Sequence, residues 1–416
     1  MSGNLSFFGS LKANGFNRAI SPAILMAQFF GVMPLYNLTA NDVMLLEFKL
    51  KSWRTAYSIF CIIATIFSTC TAFVLAYETN FEISQISPFI FYALNVYIMI
   101  EFFRLARKWP RIMRHWERVE NAIVNSRNRN LDDSLSRQLR IVTIVVMICC
   151  WTEHLLSIVS ALLNMCDTLT YSEDFLKGHL YHLFFMLPYN APLAAFGKFT
   201  NIISTFAWNF MDLFVMLNAI GMATTFKLLS DFIILECKNQ HISDKFWSKQ
   251  HHIYQKIVDL MNELDDETCS INLVSFSNNV YFIIFQLLNS LQSLPVAHAI
   301  YFWFSLLFLI SRTILICLCA AEIQDQAKRP LIALRKIRSD YWTEQLRRFS
   351  EEITNAKIGL TGKKLFFINR SLLLSVAGTI ITYELVLIQF HKQDEGPYIE
   401  PCDPNEQNAT TPHQPF

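Results

Sequence analysis

Charge and glycine are both scarce in this chain: only 17% of its 416 residues are Asp, Glu, Lys or Arg, and 11 glycines stand against 36 phenylalanines. A soluble domain usually carries about 25% charged residues, so an ordinary globular enzyme is excluded on composition. Paired cysteine spacings are missing as well. Of the ten cysteines, Cys149, Cys150, Cys317 and Cys319 lie inside apolar runs, which excludes a zinc ribbon or a small disulfide scaffold and reads as buried thiols. The formal net charge of +1 excludes a strongly basic nucleic-acid surface. There is no phosphate-binding glycine loop and no nucleophile motif, and His179 and His182 read as an isolated pair on loop surface, so neither an enzyme nor a cofactor is expected. Lys12 and Arg18 are not followed by a clean apolar core and a small-residue cleavage site; no cleavable signal peptide is expected, and the first span would direct insertion.

What the chain has instead is long apolar stretches. Trp53 to Tyr77, Ser87 to Phe103, Ile141 to Met165, Ile202 to Phe226, Ile271 to Leu294, Ile300 to Ala320 and Leu365 to Phe390 are each long enough to cross about 30 Å of hydrocarbon. The fold class is therefore an all-α polytopic membrane protein with seven transmembrane helices, the fifth and sixth joined by a short Pro295 to Ala299 turn. Gln28 to Pro34 is apolar but too short to span, and reads as an interfacial or packed helix.

Lys and Arg placement sets the orientation. The connections after the second and sixth spans are rich in both, from Arg104 to Arg140 and from Lys328 to Lys364, whereas the Glu78 to Ile86 turn has neither and Asp167 to Asn201 has only Lys177 and Lys198. By the positive-inside rule the N-terminus is cytoplasmic and the C-terminus extracellular, with Asn408 of the Asn-Ala-Thr sequon outside and Asn37 inside. Helical periodicity at Ile253, Ile257, Leu260 and Leu264 extends the spans into a cytoplasmic helical base. Three segments follow: 1–52, cytoplasmic with a short apolar helix; 53–390, the seven-helix transmembrane body with its base; 391–416, an external tail without periodicity.

Polar side chains at bilayer depth are costly and are candidates for function. Glu153 and His154 in the third span, and Trp208, Asn209 and Asp212 in the fourth, combine carboxylates and amides with aromatic faces, as a neutral polyol requires. Tyr92, Asn95, Asn289, Gln292 and Trp303 are further candidates at similar depth. The competing reading is that Glu153, His154 and Asp212 bond one another and hold helices together. In the last span Ser371, Ser375, Gly378, Thr382 and Gln389 form one small and polar stripe. Such a stripe lines water if several copies surround an axis, or else lets two helices pack closely. Glu384 lies off it.

The segment Thr382-Tyr383-Glu384-Leu385-Val386-Leu387-Ile388-Gln389-Phe390 resembles the signature that ends the last helix of insect gustatory receptors. Ala27-Gln28-Phe29-Phe30-Gly31-Val32-Met33-Pro34, Trp208-Asn209-Phe210-Met211-Asp212-Leu213-Phe214 and Ala320-Ala321-Glu322-Ile323 resemble the sugar-receptor branch of that family. The resemblance implies a ligand-gated, non-selective cation channel built as a homo- or hetero-tetramer, with a small sugar as ligand and monovalent cations as permeants, divalent ones left open. Each subunit would bind ligand among its first six helices. Gln389 and Phe390 would constrict the pore, Thr382 and Tyr383 would couple the last helix to its neighbours, and Tyr281 and Trp303 would relay binding from the pocket floor. A metabotropic seven-helix receptor is set against this by the reversed charge pattern, and a sugar transporter by the lack of an internal repeat. Which sugar binds stays open, as does any pairing of Cys166 with Cys402.

Overall fold

The computed structural model describes residues 15–127, 133–163, 171–237, 243–289 and 296–391. In chain order the helices are α1 (Phe16–Phe29), α2 (Trp53–Glu78), α3 (Ile83–Arg127), α4 (Ser134–Leu163), α5 (Tyr171–His179), α6 (Tyr181–Phe184), α7 (Ala191–Glu236), α8 (Asp244–Asn289), α9 (Val296–Lys328), α10 (Pro330–Leu334), α11 (Glu344–Asn355) and α12 (Arg370–His391). Among the described residues six of these, α2, α3, α4, α7, α8 and α9, are long and apolar enough to cross a membrane. In α12 the apolar stretch with described side chains is the shorter Arg370–Thr382. Residues 296–299 are not a turn: they form the first turn of α9. Gln292, Cys166, Cys402, Asn408 and the rest of 392–416 lie outside the described residues.

Helices α3, α7 and α8 run for 45, 46 and 46 residues, which at about 1.5 Å per residue is roughly 70 Å, twice what hydrocarbon requires. One half of each is therefore apolar on most sides, while the other half is amphipathic and packs into a charged base. In the base half of α8, Ile253, Ile257, Leu260 and Leu264 are all buried. Its polar face is tied to α3 by Lys108 to Glu267 at 2.5 Å, Arg111 to Glu263 at 2.8 Å and His115 to Glu263 at 2.6 Å. Helix α7 is enclosed over most of its length and is the axis around which the others pack.

The short N-terminal apolar run belongs to α1, which turns Phe16, Ile20, Ile24 and Ala27 into the core at helical spacing. The Phe16 backbone N–H donates to the Glu120 carboxylate on α3 at 2.9 Å, satisfying one of the unpaired donors at a helix start. The Phe16 ring stacks on Trp116 with centroids 3.8 Å apart and also lies against Gly221 of α7.

Besides an isolated antiparallel bridge between Tyr36 and Glu47, the described residues contain a hairpin of two-residue strands, β1 (Thr361–Gly362) and β2 (Phe366–Phe367), turned through Lys363 and Lys364 at positive φ. Asp265 of α8 holds it: the carboxylate accepts the Thr361 N–H at 2.7 Å and the Thr361 hydroxyl at 2.8 Å, and pairs with Lys364 at 2.5 Å. From this clamp the chain enters α12, which rests on α8 and α9 through Leu372, Leu373, Val376 and Ile380. Ser371, Ser375, Gly378 and Thr382 are exposed on the opposite side. Tyr383, Gln389 and Phe390 fall inside the same helix, with their side chains outside the described residues.

At Gly221 an added Cβ would sit 2.3 Å from the Phe16 ring. Alanine in a helix interior normally gains about 1 kcal/mol over glycine, but here it must displace a ring wedged against Trp116, and such overpacking costs about 1–3 kcal/mol or more. Gly221→Ala is expected to lower the thermal midpoint of the detergent-solubilised protein, and Gly221→Ala with Phe16→Leu to recover part of the loss; a single variant as stable as the parent would contradict this packing.

Candidate ligand cavity and its buried ion pair

A cavity of about 270 Å³ lies in the half of the bundle away from the charged base, close to the lower end of the usual range of about 300–1,000 Å³ for small-molecule sites. Its wall is assembled from the near ends of six helices, with α5 and α6 at its rim. Helix α3 gives Gln85, Phe91 and Tyr92; α4 gives Glu153, His154 and Ser157; α7 gives Asn201, Thr205, Trp208 and Asn209; α8 gives Phe282, Phe285 and Gln286; α9 gives His298, Tyr301, Phe302, Ser305, Leu309 and Arg312. Leu75 of α2 completes the wall. Aromatic faces therefore alternate with amide, hydroxyl, imidazole and carboxylate groups.

The floor is a buried charge network. Arg312 Nε lies 2.6 Å from Asp212 Oδ2, with the two side chains 3% and 0% exposed. Asp212 also accepts the Ser275 hydroxyl at 2.5 Å and the Asn279 amide at 2.9 Å. Arg312 donates to Asn209 Oδ1 and to Asn279 Oδ1, and its guanidinium lies over Trp208 and Phe308 at 5.6 and 5.2 Å. Two charges taken out of water cost several kcal/mol each unless they are paired and hydrogen-bonded; Ser275, Asn279 and Asn209 supply such bonds beside the ion pair, so three helices meet at one polar node. Above the node, Ser305 donates to Glu153 at 2.5 Å and receives the Gln286 amide at 3.0 Å.

Of the residues singled out in the sequence, Tyr92, Glu153, His154, Trp208 and Asn209 converge on this cavity. Asp212 lies beneath it, in the ion pair. Asn95 is buried and returns its amide to the Phe91 carbonyl at 2.9 Å. Tyr281 is half-buried beside Phe282 and Phe285, outside the wall. Asn289 is the last residue of α8, with its side chain outside the described residues. Trp303 is 51% exposed on the outer side of α9, since it is one residue, about 100° of helix, away from the inward Phe302.

Two groups were missed. Arg312 is a lone charge inside the apolar stretch Ile300 to Ala320, a signal that was present and passed over. His179 and His182 are not loop surface: both line the rim, and the buried His182 ring lies 4.9 Å from that of Tyr92. Burial pushes the His182 imidazole down to about 4, and burial together with the nearby Lys198 and His154 pushes His179 down to about 3.

The solved chain of the insect olfactory receptor OR5 from Machilis hrabei superposes with a TM-score of 0.63 at 15% identity, covering 89% of this chain and 97% of that one. The class is thus a multi-pass all-α membrane protein with the insect olfactory receptor fold. In sequence, the Trehalose receptor family model matches residues 8–401. The chain is 36% identical over 390 residues to "Gustatory receptor for sugar taste 64f" of Drosophila melanogaster, covering 92% of this chain and 83% of that one. It is 34% identical to "Gustatory receptor 5a for trehalose" of the same organism, covering 92% and 86%. The chain belongs to the insect gustatory receptor family, in its sugar-taste branch, and is a receptor rather than an enzyme.

Two outcomes follow from this geometry. Removing one member of a buried pair costs about 3–5 kcal/mol, so Asp212→Leu is expected to abolish or sharply lower folded yield in fluorescence-detected size exclusion, and Asp212→Leu with Arg312→Met to restore more of it than either single change. Because the folded state lowers the His182 pKa from 6.5, its neutral form is the stabilising one. That contribution is full above pH 6.5 and is lost as pH falls towards 4. The thermal midpoint should fall across this window, less steeply in His182→Gln; an unchanged slope would refute the assignment.

Proposed function

We propose that this protein is a sugar-gated, non-selective cation channel of the plasma membrane of sensory neurons, with the ligand held in the cavity between α3 and α9. The observation that carries the reading is the polar inventory of an aromatic cavity: Trp208 Nε1, Gln286 Oε1 and His182 Nε2 are buried and have no hydrogen-bond partner among the described residues. An unmatched donor and acceptors between flat rings suit a ligand that carries many hydroxyls on an apolar ring. Glu153, held by the Ser305 hydroxyl, adds a carboxyl group, and a hydrogen bond to it contributes about 0.5–1.5 kcal/mol.

A route from the cavity to the last helix supports gating. Phe282, Phe285 and Leu309 line the cavity and form one apolar cluster with Tyr281 and Ile380 of α12. Ligand that draws these rings inward moves the surface on which α12 rests, provided it binds the open arrangement more tightly. The outward stripe of Ser371, Ser375, Gly378 and Thr382 suits a conduit shared between four copies, with Gln389 and Phe390 constricting it and Thr382 and Tyr383 holding α12 to its neighbours. In this reading the chain has seven spans, a cytoplasmic N-terminus, and an extracellular C-terminal tail glycosylated at Asn408.

The test is whole-cell current in cells expressing the chain with G-protein signalling blocked. Mono- or disaccharide should evoke a cation current. Glu153→Gln should raise the half-activating concentration about ten-fold, and Gln389→Ala should alter permeation or gating with little change in that concentration. Saturable sugar uptake without current, or a response abolished by the G-protein block, would overturn the channel reading.

A further inference from the structure

Away from the cavity, the aromatic residues of α2 mark the bilayer. Trp53 opens the helix and Tyr77 lies near its end, both largely exposed, about 36 Å apart at about 1.5 Å per residue. That matches hydrocarbon plus the start of the headgroup layers, where Trp and Tyr collect. Between them Ile59, Phe60, Ile63 and Ile66 are exposed as the lipid face. The level of Trp53 is therefore one membrane surface.

At that level the loop before α2 exposes Met44, Leu45 and Leu50, at 63%, 56% and 59%, which a loop in water would not favour. Cations lie over the aromatic rings of the same segment and its neighbours. Arg107 of α3 lies over the Phe48 and Phe103 rings at 5.7 and 5.2 Å. Arg54 lies over Tyr36 at 4.7 Å and donates to Gln28 and to the Leu35 carbonyl. Along α3 the adjacent Arg104, Lys108 and Arg111 each pair with a glutamate, and Lys49 pairs with Glu47 at 2.7 Å. Among the described residues no carboxylate within ion-pair distance answers Lys51, Arg54 or Arg107. Apolar side chains at headgroup depth beside unanswered cations are complementary to an anionic amphiphile.

We infer that the shelf formed by residues 44–54 and Arg107 binds the headgroup of an anionic phospholipid from the adjoining leaflet. Lys51 and Arg107 meet the negative charge, and Leu50 and Trp53 lie against the glycerol and upper acyl chain. The site is independent of the sugar cavity and of any reading of gating.

The test uses the full chain in nanodiscs containing brominated phosphatidylglycerol or brominated phosphatidylcholine at equal mole fraction, with tryptophan quenching as the readout. Phosphatidylglycerol should quench more, and the excess should vanish in Trp53→Phe. Each of Lys51→Gln and Arg107→Gln should cut the preference about five-fold, with unchanged elution and thermal midpoint, while Lys51→Arg with Arg107→Lys should keep it. Equal quenching by the two lipids, or an excess unchanged in the double glutamine variant, overturns the site. Loss of the excess on adding inorganic phosphate assigns the cations to a free anion and overturns the lipid reading.

Discussion

The Asp212–Arg312 pair is the constraint around which the rest of the bundle is arranged. A carboxylate and a guanidinium that are both shut away from water are tolerable only with further hydrogen bonds beside the pair. Making them requires Ser275 and Asn279 from α8 and Asn209 from α7 to arrive in register with Arg312 of α9. Sliding any of these helices by one residue would rotate a partner away by about 100°. An apolar core tolerates such slips more readily, because hydrophobic contact has no direction. The pair thus fixes the relative heights of α7, α8 and α9, and with them the spacing of the aromatic and polar groups that stand above it around the cavity.

The same node divides the molecule by chemistry. On one side the long helices carry the cavity, where polar atoms are left unmatched; on the other they carry a base in which glutamates and basic residues answer one another across α3 and α8. Exposed pairs of that kind contribute little singly, so the base owes its order to the buried Ile253, Ile257, Leu260 and Leu264 beneath them. The hairpin on Asp265 lies in this base, so α12 takes its position from α8 at its root and from the cavity cluster at Ile380 higher up.

The apolar spans were legible because lipid imposes a minimum run length that few other environments impose. The extensions of α7 and α8 into the base were legible from periodicity such as Ile253, Ile257, Leu260 and Leu264, and that of α3 was less so, since charged residues that look like connection continue as helix. Glu153, Trp208 and Asn209 could be read as cavity residues because polar groups within apolar runs are informative. Trp303 could not be placed, because run length says nothing about rotation. Once Arg312 is taken as an inward mark, the phase of α9 follows: 302, 305, 309 and 312 share a face at spacings of three and four, and 303 falls off it. His179 and His182 were misjudged for the converse reason, since short helices between spans usually meet water and here fold back over the cavity rim.

The exposed stripe of α12 has a consequence for the biology of a single chain. Four small or hydroxyl-bearing residues turned away from their own protein leave little side chain projecting from that face, so whatever lies against it meets backbone and hydroxyl groups rather than leucine. Such a helix discriminates poorly between identical and related neighbours, because little projects from it to clash. In the proposed four-copy arrangement, related chains carrying the same pattern would line the conduit beside this one without a clash.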